Sequence, residues 1–389
     1  MKVVVLGAGL MGSAAVFDLI NSRGVDIVKA VDSSHARIVN LKKRFGSGKL
    51  VTELCDVSRD RDRLAKSIRD FDVCLGALPN QFALNAIRSA AQAQVNYVDL
   101  IFMWRYDRDL WRKADNLFSR RELTLISPCG LAPGLTNILA FKAASQLDRA
   151  NTVKIYTGGL PLHPTGPLNY LLLWSLDDLW DMYTRPAIIV DRNEKREVEP
   201  LSGLEYLNIH GIGRLEAFYS DGLSTLVRTL RGVNAMWEKT LRYPGHAEKI
   251  KTLTDCGMLQ TEPIGRGIET TPRQALNAVL GPKLKSKPGE KDVTIGRVEA
   301  IGTADRANVS EKYELIDHSD VRNGISSLAR TTAYVASIAA QMTANGRIKE
   351  RGFLPPELAF GETNFESFMD ELRARRITIT HRRYVHSKK

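Results

Sequence analysis

The sequence has few cysteines and no long apolar run, and these two shortages exclude several classes of protein. Four cysteines occur in 389 residues and no pair has CxxC spacing, so neither a disulfide framework nor a metal site is expected. The longest apolar clusters, such as Leu171–Trp174, are far shorter than the ~20 residues that span a bilayer. The single lysine before VVVLGAGLMG, without a small-residue cleavage site, does not resemble a secretory signal. We therefore predict a cytoplasmic protein without a membrane partner.

Acidic residues are also in the minority, with 44 Asp and Glu against 55 Lys and Arg and a net charge of +11. The excess is densest in Lys283–Lys291 and in the C-terminal segment from His381, and both patterns predict solvated segments. No nucleic-acid-binding motif accompanies them. The charge therefore predicts attraction of anionic metabolites or cofactor phosphates, with no nucleic-acid partner.

Short apolar runs alternate with amphipathic stretches through the first 126 residues. The runs predict strands buried on both faces of a sheet, at Val3–Leu6, Ile27–Val31, Val51–Leu54, Val73–Leu75, Tyr97–Asp99 and Leu123–Ile126. Helical spacing predicts helices between them, at Leu10–Arg23, His35–Phe45, Asp60–Asp70, Gln81–Ala93 and Arg105–Arg121. This alternation is typical of an α/β fold with a doubly wound parallel sheet, the Rossmann fold.

After Ile126 the strands are no longer separated by regular crossover helices. After a helix at Leu135–Leu147 we predict strands at Val153–Tyr156, Ala187–Asp191, Leu215–Tyr219, Val293–Ile301 and Tyr313–Ile316. Helical spacing returns at Ile325–Asn345 and Phe365–Arg373. The pattern predicts a mixed α+β domain at 129–324, inserted into a first domain formed by 1–128 and 325–389.

A glycine-rich turn, GAGLMG, follows the first predicted strand and opens the first predicted helix. Gly7 allows the tight turn, Gly9 lets the backbone approach a pyrophosphate, and Gly12 permits close packing of the helix on the strand. Leu10 and Met11 begin the helix, whose free N–H groups and positive dipole end favour phosphates. A tight turn without a ligand is the alternative, but the strand–turn–helix context favours a dinucleotide.

Polar or small residues end three further strands of the predicted sheet. Asp32, 20 residues after Gly12, can accept hydrogen bonds from the adenosine ribose and would repel a 2′-phosphate, which predicts NAD. Arg37 leaves NADP as an alternative. Ala77 follows the fourth strand, where a small residue lets the backbone approach the cofactor. Asp99 ends the fifth strand and is predicted to reach the nicotinamide or the substrate, with a helix N-cap as the alternative.

Three clusters in the second region combine polar residues with glycine or proline. They contain Tyr183 (YTRP), Asp221 (SDGL), and Arg242 with His246 (RYPGH). Arg242 is suited to binding a substrate carboxylate, and His246 is expected to titrate near neutrality and to take a proton. The alternatives are a surface arginine and a histidine satisfied by the backbone.

Taken together, the motifs resemble the saccharopine dehydrogenase-like family, and within it the lysine 6-dehydrogenase branch. They run in order from residue 1 to about 372: GAGLMG, GALP, YVDLIFM, CGLAPGLTN, YTGGLP, LLLWSLDDLWDMYTRPA, SDGLSTL, TLRYPGHAEKIKTL, ARTTAY and GFLPPE. The resemblance implies a Rossmann domain completed by C-terminal segments. It also implies a mixed α/β domain for catalysis and oligomerisation, in a homodimer or higher homo-oligomer.

The resemblance also implies a reaction, the NAD-dependent oxidation of the ε-amine of L-lysine to a semialdehyde that cyclises to a piperideine carboxylate. Cofactor-binding roles would fall on Gly7, Gly9, Gly12, Asp32, Leu78 and Pro79. Substrate-side roles would fall on Asp99, Gly130, Tyr183, Asp221, Arg242, His246 and Thr332. One position departs from the family pattern: many members have an acidic residue just before the cysteine of the CGxAPG turn, and here it is Pro128.

The chemistry of amine oxidation sets two demands on such a site. Hydride leaves Cε only when the amine is neutral, although a free lysine amine has a pKa of ~10.4. The site must therefore desolvate the amine or supply a base, for which Asp99 or His246 is available. The substrate carboxylate needs a cation, for which Arg242 is the candidate. Saccharopine or carboxynorspermidine dehydrogenase activity is the alternative among enzymes, and a non-catalytic NAD-binding regulator is the alternative outside them.

Overall fold

The computed structural model describes residues 1–101, 108–265, 267–287 and 289–386. Its strands are β1 (Lys2–Leu6), β2 (Ile27–Asp32), β3 (Leu50–Leu54), β4 (Val73–Gly76), β5 (Asn96–Asp99), β6 (Thr124–Ile126), β7 (Arg149–Pro161), β8 (Ala187–Asp191), β9 (Glu194–Val198), β10 (Glu205–Ile209), β11 (Gly213–Ser220), β12 (Ala235–Arg242), β13 (Asp292–Ala304), β14 (Ala307–His318), β15 (Gly352–Leu354) and β16 (Ile379–His386). Its helices are α1 (Leu10–Asn21), α2 (His35–Phe45), α3 (Arg61–Ile68), α4 (Ala83–Ala93), α5 (Arg108–Ser119), α6 (Leu135–Ser145), α7 (Leu176–Thr184), α8 (Leu226–Thr229), α9 (His246–Asp255), α10 (Pro272–Leu284), α11 (Ser327–Ala344), α12 (Pro356–Phe360) and α13 (Phe365–Ala374), with a short 3-10 helix at Asn80–Phe82.

The chain divides into two compact units. Unit 1 contains Met1–Lys142, Ser224–Thr229 and Ala329–Thr378, and unit 2 contains Ala143–Leu223, Leu230–Leu328 and the segment from Ile379 onward. The predicted boundary after residue 128 therefore differs from the structure, in which unit 1 continues to Lys142.

The short return of the chain into unit 1 at Ser224–Thr229 was not predicted either. The hydroxyls of Thr225 and Thr229 donate hydrogen bonds of 2.9 and 2.6 Å to the buried carboxylate of Glu357 in α12. These contacts attach a six-residue segment to unit 1. Because the partners are more than a hundred positions apart, local sequence patterns cannot reveal them.

Unit 1 is built on a parallel sheet, whose described strands follow the order β15-β6-β5-β4-β1-β2-β3. Strands β1 to β6 were predicted from the sequence, and the doubly wound α/β fold is confirmed. The order turns back on itself between β1 and β4, where the chain has moved from β3 to the other side of β1. In doubly wound sheets ligands bind at such a switch point, outside the carboxyl ends of the strands.

Two elements of unit 1 differ from the prediction. Strand β15 has three residues, too few to show a periodicity, and it extends the sheet beside β6. The helix predicted at Arg105–Arg121 is described only from Arg108, as α5, because residues 102–107 lie outside the described part of the chain. None of the helices in the described ranges is long and apolar enough to cross a membrane.

Unit 2 contains a mixed sheet of nine strands, counted over the described residues, in the order β10-β11-β12-β7-β13-β14-β16, with β8 pairing to β12 and to β9. Strands β12 and β7 are parallel, whereas β7, β13 and β14 form an antiparallel series. The five strands predicted here lie within β7, β8, β11, β13 and β14. Helices α7, α9 and α10 supply a core around Trp180, Tyr183, Phe218 and Ile250.

The basic C-terminal segment was predicted to be solvated, and residues 380–386 are exposed, but they also form a strand, which was not predicted. Residues 379–386 form β16, which pairs antiparallel with β14 and belongs to unit 2, whereas 387–389 lie outside the described residues. His381 Nε2 and Arg383 Nη1 lie 2.7 and 3.0 Å from the carboxylate of Glu311, which is fully buried. The basic side chains thus compensate a buried acid, a pairing that hydrophobic periodicity does not detect.

The other basic segment, Lys283–Lys291, was predicted to be an exposed loop and is one only in part. Helix α10 continues through Pro282 and Lys283 to Leu284, and Leu284 is buried. Its proline lies in the last turn, where it does not end the helix. Pro288 lies outside the described residues.

Candidate active site

The glycine turn after β1 forms a cradle with one open side. Gly7 has a φ of +98°, and a Cβ there would lie 2.4 Å from the Ala77 carbonyl oxygen. A Cβ on Gly12 would lie 1.8 Å from the Gly7 carbonyl oxygen, whereas no atom of the described residues lies within 4 Å of the corresponding point on Gly9. Helix α1 begins at Leu10 and Met11 with no side-chain cap at Gly9, which leaves its first N–H groups for a phosphate. The turn therefore fits a dinucleotide diphosphate.

Asp32 lies beside this turn and is 5% exposed. Its Oδ2 accepts a hydrogen bond of 2.7 Å from the Ala8 N–H, and its Oδ1 accepts one of 2.7 Å from the Ser34 N–H. Each carboxylate oxygen can accept a second hydrogen bond, as from a ribose hydroxyl. Arg37 Nη1 lies 3.7 Å from Oδ2 on a side chain that is 62% exposed. The pair fits the adenosine ribose of NAD and, through Arg37, the 2′-phosphate of NADP.

The predicted segment after β4 lies against the same turn. The Ala77 N–H donates to the Leu6 carbonyl at 2.8 Å, which holds the segment beside β1. The Leu78 side chain lies 3.4 Å from the point that a Cβ on Gly7 would occupy, and Pro79 precedes the short 3-10 helix. These positions are at the carboxyl end of the sheet, as predicted for residues that border a cofactor.

Asp99 is completely buried at the end of β5, directly beside Gly76 of β4. Its Oδ1 accepts hydrogen bonds from the Ser127 hydroxyl and, at 3.1 Å, from the Ile101 N–H. Its Oδ2 has no hydrogen-bond partner among the described residues. Burial raises the pKa of Asp99 to about 7, although the two hydrogen bonds to Oδ1 lower it. Asp99 therefore exchanges a proton near neutrality.

Two other predicted residues of unit 1 lie next to Asp99. The Cys129 N–H donates to the Asp99 carbonyl oxygen at 2.7 Å, which holds the turn containing Gly130 beside β5. A Cβ on Gly130 would lie 3.2 Å from Cγ2 of Thr332, on α11. Cys129 itself is fully buried, and burial raises the pKa of its thiol, so it is not an activated nucleophile. Asp99, Gly130 and Thr332 therefore occupy one corner of unit 1.

In unit 2, three predicted residues form a chain of hydrogen bonds. The Arg242 Nε–H donates to the Tyr183 hydroxyl oxygen at 3.0 Å, and that hydroxyl lies 2.8 Å from Nε2 of His246. His246 Nδ1 lies 2.8 Å from the Leu168 carbonyl oxygen, which can only accept, so Nδ1 carries the proton. Nε2 then accepts from the Tyr183 hydroxyl. This order of donors and acceptors corresponds to a neutral imidazole on His246 and a neutral phenol on Tyr183.

The prediction that His246 titrates near neutrality is wrong. Burial of the imidazole, reinforced by the Arg242 guanidinium, lowers the pKa of His246 to about 3. A base of this strength does not hold a proton at neutral pH. Its contacts instead make His246 a residue that orients Tyr183.

Arg242 is 4% exposed, and no carboxylate of the described residues lies within ion-pair distance of its guanidinium. Its Nη1 donates to the Leu241 carbonyl at 2.8 Å, and the guanidinium carbon lies 4.7 Å from the centre of the Tyr170 ring. Burial opposes the charged form of Arg242, but the Tyr183 and Tyr170 side chains and the charge of Glu238, which lies beyond ion-pair distance, favour it and raise its pKa overall. A guanidinium without a direct carboxylate contact is suited to an anionic ligand, and the binding of a substrate carboxylate by Arg242 stays a prediction.

Sequence reasoning missed the residue that holds the start of α9 in place. The carboxylate of Glu216 accepts hydrogen bonds of 2.8 Å from the Gly245 N–H and 2.6 Å from the Ala247 N–H, on either side of His246. Glu216 lies directly across from Arg242 in the pairing of β11 with β12. Only that strand register, which no local motif encodes, brings Glu216 to the turn.

Asp221, also predicted to bind substrate, lies after β11 near Glu238. Burial raises the pKa of Glu238, and the charge of Asp221 raises it further, whereas bonds from Ser220, Thr157 and the Gly222 N–H lower it. Neither acid is placed for a metal, because no group of three or more His, Cys, Asp or Glu in the described ranges could hold one.

Comparison with known proteins identifies two family domains that together cover most of the chain. Residues 3–121 match the saccharopine dehydrogenase NADP binding domain, and residues 130–377 match the saccharopine dehydrogenase C-terminal domain. The L-glutamate-forming, NADP(+) saccharopine dehydrogenase of Saccharomyces cerevisiae is 24% identical over 434 aligned positions, which cover 91% of this chain and 93% of the relative.

Solved structures show the same fold. The apo form of the L-Glu-forming saccharopine dehydrogenase from Saccharomyces cerevisiae matches 98% of this chain and 99% of its own, with a TM-score of 0.79 and 20% identity. A homospermidine synthase from Legionella pneumophila in complex with NAD covers 99% and 91%, with a TM-score of 0.69 and 12% identity. The chain therefore belongs to the saccharopine dehydrogenase family of NAD(P)-binding oxidoreductases that act on CH–NH donors.

Proposed function

We propose that this chain is a dehydrogenase that oxidises the carbon–nitrogen bond at the ε-carbon of a lysine-type amino acid, with L-lysine as the first candidate. The observation that carries the proposal is Arg242, a buried guanidinium with no carboxylate partner among the described residues. A substrate carboxylate would supply the missing counterion through paired hydrogen bonds.

Asp99 is the proposed proton acceptor. When bound, the oxidised nicotinamide accepts the hydride from the ε-carbon of the substrate. For that step the amine nitrogen must first lose its proton, and the Oδ2 of Asp99 can take it because the pKa of Asp99 is about 7. Water then adds to the carbon–nitrogen double bond and releases the semialdehyde and the amine.

Saccharopine is the second candidate substrate, and one observation favours it. The chain aligns along nearly its whole length with an enzyme named as a saccharopine dehydrogenase. Saccharopine carries a secondary amine and additional carboxylates, so it would need more cationic contacts than L-lysine. Carboxynorspermidine, with a polyamine arm, is a further member of this alternative.

The proposed activity is tested with purified protein, each substrate and both oxidised cofactors at alkaline pH. L-Lysine should produce reduced nicotinamide, measured by its absorbance, and the amine released identifies the substrate class. Ammonia indicates lysine oxidation, whereas L-glutamate indicates saccharopine oxidation. No turnover with L-lysine, saccharopine, carboxynorspermidine or related diamines would contradict the proposal.

We also propose that NAD is the preferred cofactor, because the negative charge of Asp32 would repel a 2′-phosphate. Asp32→Ser should raise the ratio of kcat/KM with NADP to that with NAD by at least about tenfold. Arg37→Ala, which leaves Asp32 unchanged, should lower the NADP value selectively. Since Asp32 also binds the Ala8 and Ser34 N–H groups, thermal unfolding should confirm that the variant is folded. An unchanged ratio in the folded variant would place the ribose contact elsewhere.

The homodimer or higher homo-oligomer and the cytoplasmic location stay predictions. Sedimentation of the purified protein measures the first, and fractionation of cells measures the second. Neither result affects the assignment of Arg242 and Asp99.

A further inference from the structure

Two polar atoms of β5 are buried without a hydrogen-bond partner among the described residues. They are the hydroxyl oxygen of Tyr97, Oη, and the second carboxylate oxygen of Asp99, Oδ2. Both side chains are completely buried. Buried polar groups are almost always paired with protein atoms or ordered water, because an unpaired group loses its hydration without compensation. Two such atoms on one strand call for a common explanation.

The two atoms lie on the same side of the sheet, because their residues are two positions apart on one strand. The point that a Cβ on Gly76 would occupy lies 2.1 Å from Tyr97 Oη and 3.1 Å from Asp99 Cβ. Because glycine has no side chain, the phenol hydroxyl of Tyr97 can occupy the space above Gly76, beside Asp99. The two polar atoms do not hydrogen-bond to each other, so a water molecule between them would provide each with a partner.

We propose that one buried water molecule bridges Tyr97 Oη and Asp99 Oδ2, and that Tyr97 thereby stabilises the ionised form of Asp99. The phenol donates its O–H to the water, and the water donates one of its hydrogens to Oδ2. Tyr97 is then a positioning residue, because it acts on Asp99 through the water. The consequence for catalysis rests on the proposed function, but the bridge itself does not.

Among the described residues, the titratable groups that interact electrostatically with Asp99 do not change charge near neutrality. Cys74 of β4, Tyr97 of β5 and Cys129 after β6 interact electrostatically with Asp99. Burial raises the pKa of each of these groups far above neutrality. Ser127 binds Oδ1 but does not ionise. A titration near pH 7 at this place therefore reports the ionisation of Asp99.

The bridge is tested by the pH dependence of the free energy of unfolding, measured by urea denaturation. The difference between a protein and its Asp99→Asn variant changes with pH through the ionisation of Asp99, and no catalytic activity is needed. The slope of this difference against pH falls to half of its maximum at the pKa of folded Asp99, and this midpoint is expected near pH 7 in the natural sequence. When Tyr97→Phe is added both to the protein and to its Asp99→Asn variant, the midpoint should rise by about one pH unit, because a donor to the carboxylate is lost. An unchanged midpoint would overturn the proposal.

Two variants calibrate this measurement. Ser127→Ala removes a direct hydrogen bond to Asp99 and should also raise the midpoint. Tyr243→Phe removes a buried phenol hydroxyl that donates to the Pro161 carbonyl at 2.9 Å in unit 2, and it should leave the midpoint unchanged. A shift of the same size in Tyr243→Phe would show a general effect of lost hydroxyls and overturn the proposal.

A structure of the unmodified protein with resolved waters gives an independent test, should Tyr97→Phe not fold. One water within hydrogen-bond distance of both Tyr97 Oη and Asp99 Oδ2 supports the bridge, and the lack of a shared water overturns it. If the midpoint shifts but no amine is oxidised, the proposed function fails while the bridge stands. If amines are oxidised and the midpoint is unchanged, the bridge fails alone.

Discussion

Asp99→Asn is expected to lower kcat for the amino-acid substrate by about 10²- to 10⁴-fold, the usual contribution of a general base. The amide has nearly the same shape as the carboxyl group but cannot take the proton of the substrate amine. In the unmodified protein kcat should rise with pH through about 7, as the buried carboxyl ionises. In the variant this limb of the profile should disappear. Steady-state kinetics from pH 5 to 9 measure both effects.

The same variant is expected to be more stable than the unmodified protein at alkaline pH. Because burial raises the pKa of Asp99 above its ordinary value of 3.8, the folded state favours the protonated form. The stability that this form contributes is fully present below about pH 4 and is lost as the pH rises through 7. Removing the ionisable group should therefore stabilise the protein by up to roughly 4 kcal/mol above pH 8. Urea denaturation at pH 5 and pH 9 checks the sign.

Glu357→Gln is the matched control for Asp99→Asn. Glu357 is another buried carboxyl group of unit 1, and burial raises its pKa as well, but its oxygens bind Thr225 and Thr229. This variant should change the stability of the protein without removing the pH dependence of kcat. If Asp99→Asn keeps kcat within threefold of the natural value, another group must be the base.

Arg242→Met is expected to raise the KM for the amino-acid substrate by about 10²- to 10³-fold, while the KM for the nicotinamide cofactor changes little. The reason is that the guanidinium is buried without a carboxylate partner among the described residues, so the substrate provides the charge compensation. Methionine fills a similar volume without a charge. Arg242→Lys should recover only part of the affinity, because an ammonium cannot form the bidentate contact.

The stability of Arg242→Met separates this explanation from a structural one. Because the Arg242 guanidinium forms no ion pair among the described residues, its loss should lower the free energy of unfolding less than the loss of a paired arginine, although the bond to Tyr183 and the more distant attraction of Glu238 are lost. Arg297→Met is the matched control, since Arg297 forms an ion pair with Glu314 within the same sheet. It should lower stability and leave the substrate KM unchanged. Equal rises of the KM for substrate and cofactor in Arg242→Met would show a structural role.

The strands of unit 1 could be predicted because each carries its signal within a few residues. A strand buried on both faces is continuously apolar, and β4 is buried at all four of its positions. Strand β16 carries no such signal, because most of its residues are polar and it pairs through residues such as Glu311, about 70 positions earlier. The boundary between the units depends in the same way on contacts such as that of Thr225 with Glu357. Local patterns do not contain these pairings.

The residues of the candidate site also fall into those that local spacing predicts and those that only distant contacts place. The roles of Gly7, Gly12 and Asp32 follow from a single strand–turn–helix unit, so their spacing predicts them. Tyr183 and His246 meet across 63 positions, and their contact, together with burial beside Arg242, determines which of them can hold a proton. The residue types in RYPGH indicated polar chemistry, but the motif could not show that the imidazole is desolvated.

By itself, the sequence determined the parallel α/β sheet, the nucleotide-binding turn and the family, because periodicity, turn chemistry and motif order are local properties of the chain. The tertiary structure alone decided the protonation states. It lowered the pKa of His246 to about 3 and raised that of Asp99 to about 7. The physical reason is that the energy of a charge depends on the water and partners removed from around it, and those are set by residues distant in the chain.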